Sequence, residues 1–408
     1  MSQINTNGAA SAANINSKHG AGYYILQIIR ILVGVLFIFS GLIKANDPLG
    51  LAYKMEEFFG LWHMDFFAPY ALGFSIAMIA FEIIAGVAVL LGYYFKQFAF
   101  LLLLLMLFFT YLTGYAIWYE HVNQRELKCG CFGDCIPLTA MQSFMKDIVL
   151  LVFVIILVFG RKLVYGLFAK TANTVFMILA LVFSLMIQWY VLEHLPVFDC
   201  LPYKVGNNIW KKMQPPPGSY PDEFDYSYTM KNVKTGTTKE MGNKEYMDTG
   251  WKDTLNWQLV GEPKQILIKK GNNVPEIKEF SIQDTTGNDL TETLLKEPGY
   301  NFLFFVKNVE KASTHNIEKL RQLFAKCEKN NVGFYLLSAN SKEETEKFIK
   351  DNKLNIYYYS IDATVCKTAM RSNPGLMLIK AGTVMGKWSY NDYPSDFIIS
   401  GEKLEVKK

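Results

Sequence analysis

The chain has 408 residues, of which 51% are hydrophobic and 15% aromatic, with room for two or three domains. Its formal net charge of +4 is too small to argue for a nucleic-acid partner. The apolar residues are concentrated before residue 193 and the remainder is polar and charged, so the main boundary falls there.

Residues 2–22 are rich in Ser, Ala, Asn and Gly and hold no apolar core, which reads as a disordered tail rather than a cleaved signal. Five apolar runs follow, over residues 24–43, 68–91, 98–118, 144–159 and 172–192, each read as a transmembrane helix. The fourth run is short and extends toward Tyr165, with Arg161 and Lys162 snorkelling. Trp62, Trp118, Tyr119, Trp189 and Tyr190 stand where interfacial aromatic anchors belong. Counting Lys and Arg in the loops gives a tie between the two orientations. The acidic loops and the clustered cysteines favour an inner amino terminus, since oxidising compartments keep clustered thiols as disulfides. Five spans then put the tail from Glu193 on the outer side as well.

Within the first span Arg30, Gly34, Gly41 and Lys44 fall on one helical face, where small residues permit close packing. The second span carries Glu82. At 1.5 Å per residue, Arg30 and Glu82 both lie roughly 10–15 Å from the inner surface. A charge at that depth costs about 2.5 kcal/mol or more, so an Arg30–Glu82 pair is expected. Such a pair either locks two helices or lines a small polar cavity that receives a quinone head group or relays a proton.

The string from Arg30 to Lys44, followed by Asp47-Pro48, resembles the first helix of the DoxX and MauE membrane families. Glu82-Ile-Ile-Ala-Gly86 and the later Gly92 resemble their second helix, and Cys129-Gly-Cys131-Phe-Gly133 is similar to MauE in particular. The likeness covers residues 23–160. It implies a four-helix bundle linked to disulfide formation in a periplasmic partner, by analogy with DsbB and vitamin K epoxide reductase-like oxidases. The fifth span and the long tail depart from a minimal MauE.

Three readings of the cysteine loop stay open. In the first, Cys129 and Cys131 alternate between dithiol and a strained, easily reduced disulfide, with Lys128 enriching the thiolate. Cys135 then resolves a mixed disulfide or pairs with Cys200, just beyond the fifth span. In the second, Cys135–Cys200 or another pairing staples loop and tail to the bundle; six thiols allow 15 connectivities. In the third, Cys129, Cys131, Cys135 and His121 hold a metal ion, although Cys-x-Cys is not the usual zinc spacing; no metal is expected.

Residues 194–275 read as a periplasmic linker, with an elbow at Pro215-Pro216-Pro217-Gly218 and a hairpin around Lys234-Thr-Gly236. Residues 276–408 alternate strand and helix patterns, which argues for an α/β domain. Their order resembles the thioredoxin-like fold of the TlpA branch, and the resemblance makes Pro374 the cis-proline of that fold. The stretch Lys307-Asn-Val-Glu-Lys-Ala-Ser313, where that fold carries Cys-x-x-Cys, holds no cysteine, and Cys327 and Cys366 read as core residues. The expected fold class is thus a multi-domain chain: an α-helical membrane bundle, made of a four-helix core over 23–160 and a fifth span within 161–193, then a thioredoxin-like α/β domain lacking the active thiols. The expected function is an inner-membrane factor assisting thiol–disulfide chemistry or maturation of an exported partner. Two alternatives stand beside it: a non-catalytic adaptor with structural disulfides, and a DoxX-type subunit of a quinone-linked oxidoreductase.

Overall fold

The computed structural model describes residues 20–408 except residues 124, 126, 128, 129, 131, 402 and 408 and the side chains of residues 249 and 250. The expected tail therefore lies outside the described residues up to residue 19. Its last two positions, Ala21 and Gly22, already belong to the first helix, which takes in part of a turn ahead of the apolar run.

Helix α1 (Ala21–Ala45) is followed by a shorter helix, α2 (Pro48–Leu61). A 3₁₀ turn (Asp65–Tyr70) leads into α3 (Ala71–Leu91), and α4 (Phe95–Asn123), α5 (Ala140–Phe159) and α6 (Lys170–Glu193) complete the bundle. Five of these helices, α2 being the exception, are long and apolar enough to cross a membrane. This is a multi-pass membrane protein. Helix α5 starts a turn earlier than its apolar run because Thr139 and Gln142 form a capping box that satisfies the first free N–H groups. Beyond Phe159 a 3₁₀ turn carries the chain only to Leu163, short of Tyr165.

Small residues set how α1 and α3 meet. A Cβ on Gly86 would stand 2.8 Å from the Gly34 carbonyl oxygen, and one on Gly34 would stand 2.5 Å from the Leu90 side chain. The helices can approach this closely only because both positions lack a side chain. Of the face expected on α1, Arg30, Gly34, Gly41 and Lys44 are all buried.

After α6 the chain is more than a linker. Strands β1 (Glu223–Asn232) and β2 (Thr238–Gly242) form the expected hairpin, and β3 (Trp257–Leu259) and β4 (Lys264–Lys269) both add to β1, making a four-stranded antiparallel sheet.

The α/β domain is built on a six-stranded sheet of order β10-β9-β6-β7-β8-β5. Its members are β5 (Ile282–Gln283), β6 (Tyr300–Val306), β7 (Gly333–Ser338), β8 (Tyr357–Ile361), β9 (Gly375–Lys380) and β10 (Thr383–Ser389). Strand β6 is buried along both faces from Asn301 to Val306, as a central strand covered by helices must be. It runs parallel to β7, with α7 (Ile317–Lys329) between them, and antiparallel to β9. Helix α7 buries Leu320, Leu323 and Cys327, the i, i+3, i+7 stripe of an amphipathic helix. Helices α8 (Lys342–Asp351) and α9 (Ala363–Ala369) precede β8 and β9, and a closing hairpin, β11 (Asp396–Ser400) with β12 (Lys403–Lys407), places Phe397 and Leu404 in the core. This is the thioredoxin-like order, and the Asn373–Pro374 peptide bond at the entrance to β9 is cis.

Candidate functional site

The buried charges are arranged differently from the sequence expectation. Arg30 does not meet Glu82. Its Nε donates to the Val89 carbonyl at 2.7 Å, its Nη2 to the Leu90 carbonyl at 2.6 Å, and its Nη1 to Gln27 at 2.9 Å. The reason is register. The glycine contacts place Arg30 beside the C-terminal end of α3, whereas Glu82 lies against Ser40, Gly41 and Lys44, about three helical turns along. Arg30 thus caps the carbonyl end of a helix, where positive charge is favoured. Glu82 takes Lys44 instead, at 2.5 Å, and accepts from Ser40 Oγ at 3.1 Å. Lys44 and Glu82 are both almost fully buried.

That pair borders a cavity of about 480 Å³. Phenylalanines 59, 67, 74, 81, 108 and 109 supply much of its wall, and Ser40, Lys44, Lys54, Glu82, Lys146 and Asp147 its charged and hydroxyl groups. Asp147 accepts from Thr113 Oγ1 at 3.2 Å and has the Lys146 ammonium at 2.9 Å. Phe74 and Phe108 are 43% and 42% exposed on the outer surface of the bundle, while Gly130 and Phe132 line the cavity from the α4–α5 loop. Trp62 also lines it, and its buried indole N–H has no hydrogen-bond partner among the described residues.

Lys128, Cys129 and Cys131 lie outside the described residues. Cys135 forms a disulfide with Cys200, with the two Cα atoms 4.8 Å apart. The bond joins the α4–α5 loop to the segment after α6, so both emerge on one face of the bundle. It also takes Cys135 out of the four-ligand metal set with His121. Cys327 and Cys366 are free and buried, and burial pushes both thiols up to about 12, far from thiolate at neutral pH.

Four elements of the bundle face grip the α/β domain. Arg371, just after α9, is 4% exposed. Its Nε reaches both Asp47 oxygens at 3.0 and 2.9 Å, and its Nη2 donates to Asp134 at 2.8 Å. Burial alone would lower the pKa of this guanidinium, but Asp47 and Asp134 outweigh it and hold the value above the ordinary one. On α2, Tyr53 hydrogen-bonds Lys307 and presents its ring to Lys307, Lys367 and Arg371, and Glu56 accepts from Lys367 at 2.9 Å. From the end of α6, Glu193 accepts from Asn391 and Tyr390. Beyond it, Asp199 pairs with the buried Lys387 at 2.5 Å.

The gripped surface includes the stretch that replaces the missing thiols. The Asn373 side chain accepts from the Lys307 and Asn308 backbone N–H groups and donates to the Asn308 carbonyl, which pins that stretch beside Pro374. Burial, with Arg371 and Lys367 nearby, lowers Lys307 to about 8. None of Asp47, Tyr53, Glu56, Asp134, Lys307 or Arg371 stood out in the sequence as a site residue. One signal was available: Asp47-Pro48 is an N-cap residue followed by proline at N1, the start of a helix.

Comparison with known proteins gives a family likeness over the first part of the chain. Residues 23–160 match the family described as methylamine utilisation protein MauE. Over 172 residues, 41% of this chain, the sequence is 27% identical to protein TlpB of Flavobacterium psychrophilum; the match spans 44% of that relative's length. A solved solution structure, a thiol:disulfide interchange protein from Bacteroides sp., aligns with 15% identity over 26% of this chain and 75% of its own, with a TM-score of 0.23. The stretch from residue 23 to residue 160 is therefore MauE-like, in a membrane chain that continues into a thioredoxin-like domain.

Proposed function

We propose that this protein assists thiol–disulfide chemistry in an exported partner protein, from the periplasmic side of a bacterial inner membrane. Cys129 and Cys131 are the reactive pair in this reading, and the domain from residue 276 is a docking module held above their loop. The observation that carries it is the grip just described: the Cys135–Cys200 disulfide and the Arg371 ion pairs fasten a thioredoxin-like domain to the membrane face from which the cysteine loop emerges. With no thiol between Lys307 and Ser313, and with Cys327 and Cys366 buried, that domain contributes position rather than electrons.

Oxidising a dithiol releases two electrons and two protons, which need an acceptor. The intramembrane cavity fits a quinone: an aromatic wall suits a flat ring, and the Lys44 ammonium suits its oxygens. A quinone would supply the electron sink, while Lys44 and Glu82 would hold the ring oxygens and a proton. The same cavity favours the second reading, a DoxX-type subunit serving a quinone-linked oxidoreductase.

The test is a mixed-disulfide trap with Cys129→Ser and Cys131→Ser made separately in the full chain. One of the two should accumulate a covalent adduct with an exported protein, lost on reduction. If neither captures anything, and the pair never changes redox state in membranes, the non-catalytic adaptor reading replaces this one.

A further inference from the structure

We propose that the Cys135–Cys200 disulfide is itself an exchange site, opened by the thiolate of a dithiol-bearing protein segment that enters a groove beside Cys200. The inference rests on the thiol-exchange reading above but assigns a different bond. The groove measures about 380 Å³, within the range of roughly 300–1,000 Å³ usual for binding pockets. It is lined by loop residues 132–134 and 136–138 and by Cys200, Pro202, Lys204, Lys212 and Glu276. Its lining is more evenly polar and apolar than that of the intramembrane cavity, which suits a peptide rather than a lipid.

Cys200 lines this groove and Cys135 is its partner in the bond, so the geometry makes Cys200 the sulfur that is attacked. Lys54, Lys204 and Lys212 surround the approach. Lys54 and Lys212 each have a carboxylate partner, Glu57 and Glu276, and Lys204 is exposed. Positive charge there favours the thiolate form of an incoming thiol.

The chemistry balances within the two molecules. The partner thiolate bonds to Cys200 Sγ, the S–S bond to Cys135 breaks, and its electron pair leaves on Cys135, which takes up a proton. The partner's second thiolate then attacks its own sulfur in the mixed disulfide, and Cys200 departs as a thiolate and is protonated. The partner has lost two electrons and two protons and holds a disulfide; Cys135 and Cys200 are two thiols. The ion pairs give the open state a frame. Asp134 precedes Cys135 and is held by Arg371, and Asp199 precedes Cys200 and is held by Lys387. Both sulfurs therefore stay close enough to close again.

The test uses the full chain in detergent, carrying Cys129→Ser and Cys131→Ser so that the loop pair takes no part. Reduced glutathione is added, the reaction is quenched and alkylated, and adducts are mapped by mass spectrometry. The expected result is glutathione on Cys200 and alkylation on Cys135. Changing Lys204 and Lys212 to Gln should slow the reaction roughly two- to fivefold, the range of exposed charge pairs. Adding Cys135→Ser should leave a lone Cys200 thiol that takes a stable adduct from oxidised glutathione. Adducts on Cys135, a bond that opens only when the chain is denatured, or a lone Cys200 as protected as Cys327 would each overturn the proposal. Since the assay chain lacks Cys129 and Cys131, an inert Cys200 leaves the loop-pair reading standing. A reactive Cys200 beside a silent loop pair would overturn that reading and keep this one.

Discussion

Three basic side chains carry testable charge balances. Glu82→Gln leaves Lys44 unpaired among apolar side chains, a loss on the order of 3–5 kcal/mol for a buried pair. Accumulation of the protein in membranes should fall and recover in part when Lys44→Met is added. Arg30→Met combined with Glu82→Gln should instead be additive, since the two groups lie about three turns apart. Coupling of Arg30 with Glu82 in such a double-mutant cycle would restore the pairing the sequence suggested. Lys307 gives a pH dependence. Its folded pKa of about 8 lies below the ordinary 10.5, so below about 8 the fold carries the full burden of a buried ammonium. Between those values the unfolded chain binds more protons, and stability rises with pH across that window. Urea unfolding of the full chain at pH about 7.5 and about 9.5 should show the gain, and Lys307→Met should flatten it. The sequence made the buried charges themselves legible, since Arg30 and Glu82 interrupt apolar runs and Lys44 ends one. It did not reveal their partners, because the offset between α1 and α3 is fixed by where Gly34 and Gly86 touch, not by depth counted from either end.

At the scale of elements, periodicity, apolar length and turn residues found the five spans, the strand–helix alternation of residues 276–408 and the hairpin of β1 and β2. Helix α2 escaped: its 14 residues are too short to span a membrane, and only three of them are buried. Yet α2 and its N-cap bring Asp47, Tyr53 and Glu56 to the contact with the α/β domain. Asp47 serves there twice, as N-cap to Gly50 N–H at 2.9 Å and as partner to Arg371. Asp47→Asn should keep the cap and lose the charge, whereas Asp47→Ala loses both. The second change should destabilise α2 by about 1 kcal/mol more, the usual worth of an N-cap. Hydrogen exchange of the α2 amides measures that difference, and equal protection in the two variants would show that the cap contributes nothing. The region between α6 and β5 was half legible, because β3 has only three residues and β4 lacks the alternation that marks a strand by itself. Strand β4, Lys264–Lys269, is exposed throughout and joins the sheet through backbone pairing with β1 alone.

For the whole molecule, an odd number of crossings sends the cysteine loop and the tail to one side, and the Cys135–Cys200 bond requires the same. Reporter fusions after Asp134 and after Lys408 should both give an exported signal in bacteria. Opposite signals would break the five-span count; two cytoplasmic signals would keep the count and reverse the orientation. The grip on Arg371 has one more consequence. Because α2 and the cis-proline surface belong to a single chain, the bundle competes for that surface at an effective local concentration that tethering sets at roughly millimolar. A protein arriving from solution at micromolar levels would need about a thousandfold tighter binding than α2 itself to displace it. Casual encounters with the Lys307–Pro374 surface are filtered out, and a successful ligand must bring an anchor that α2 lacks or wait until the tether is loosened.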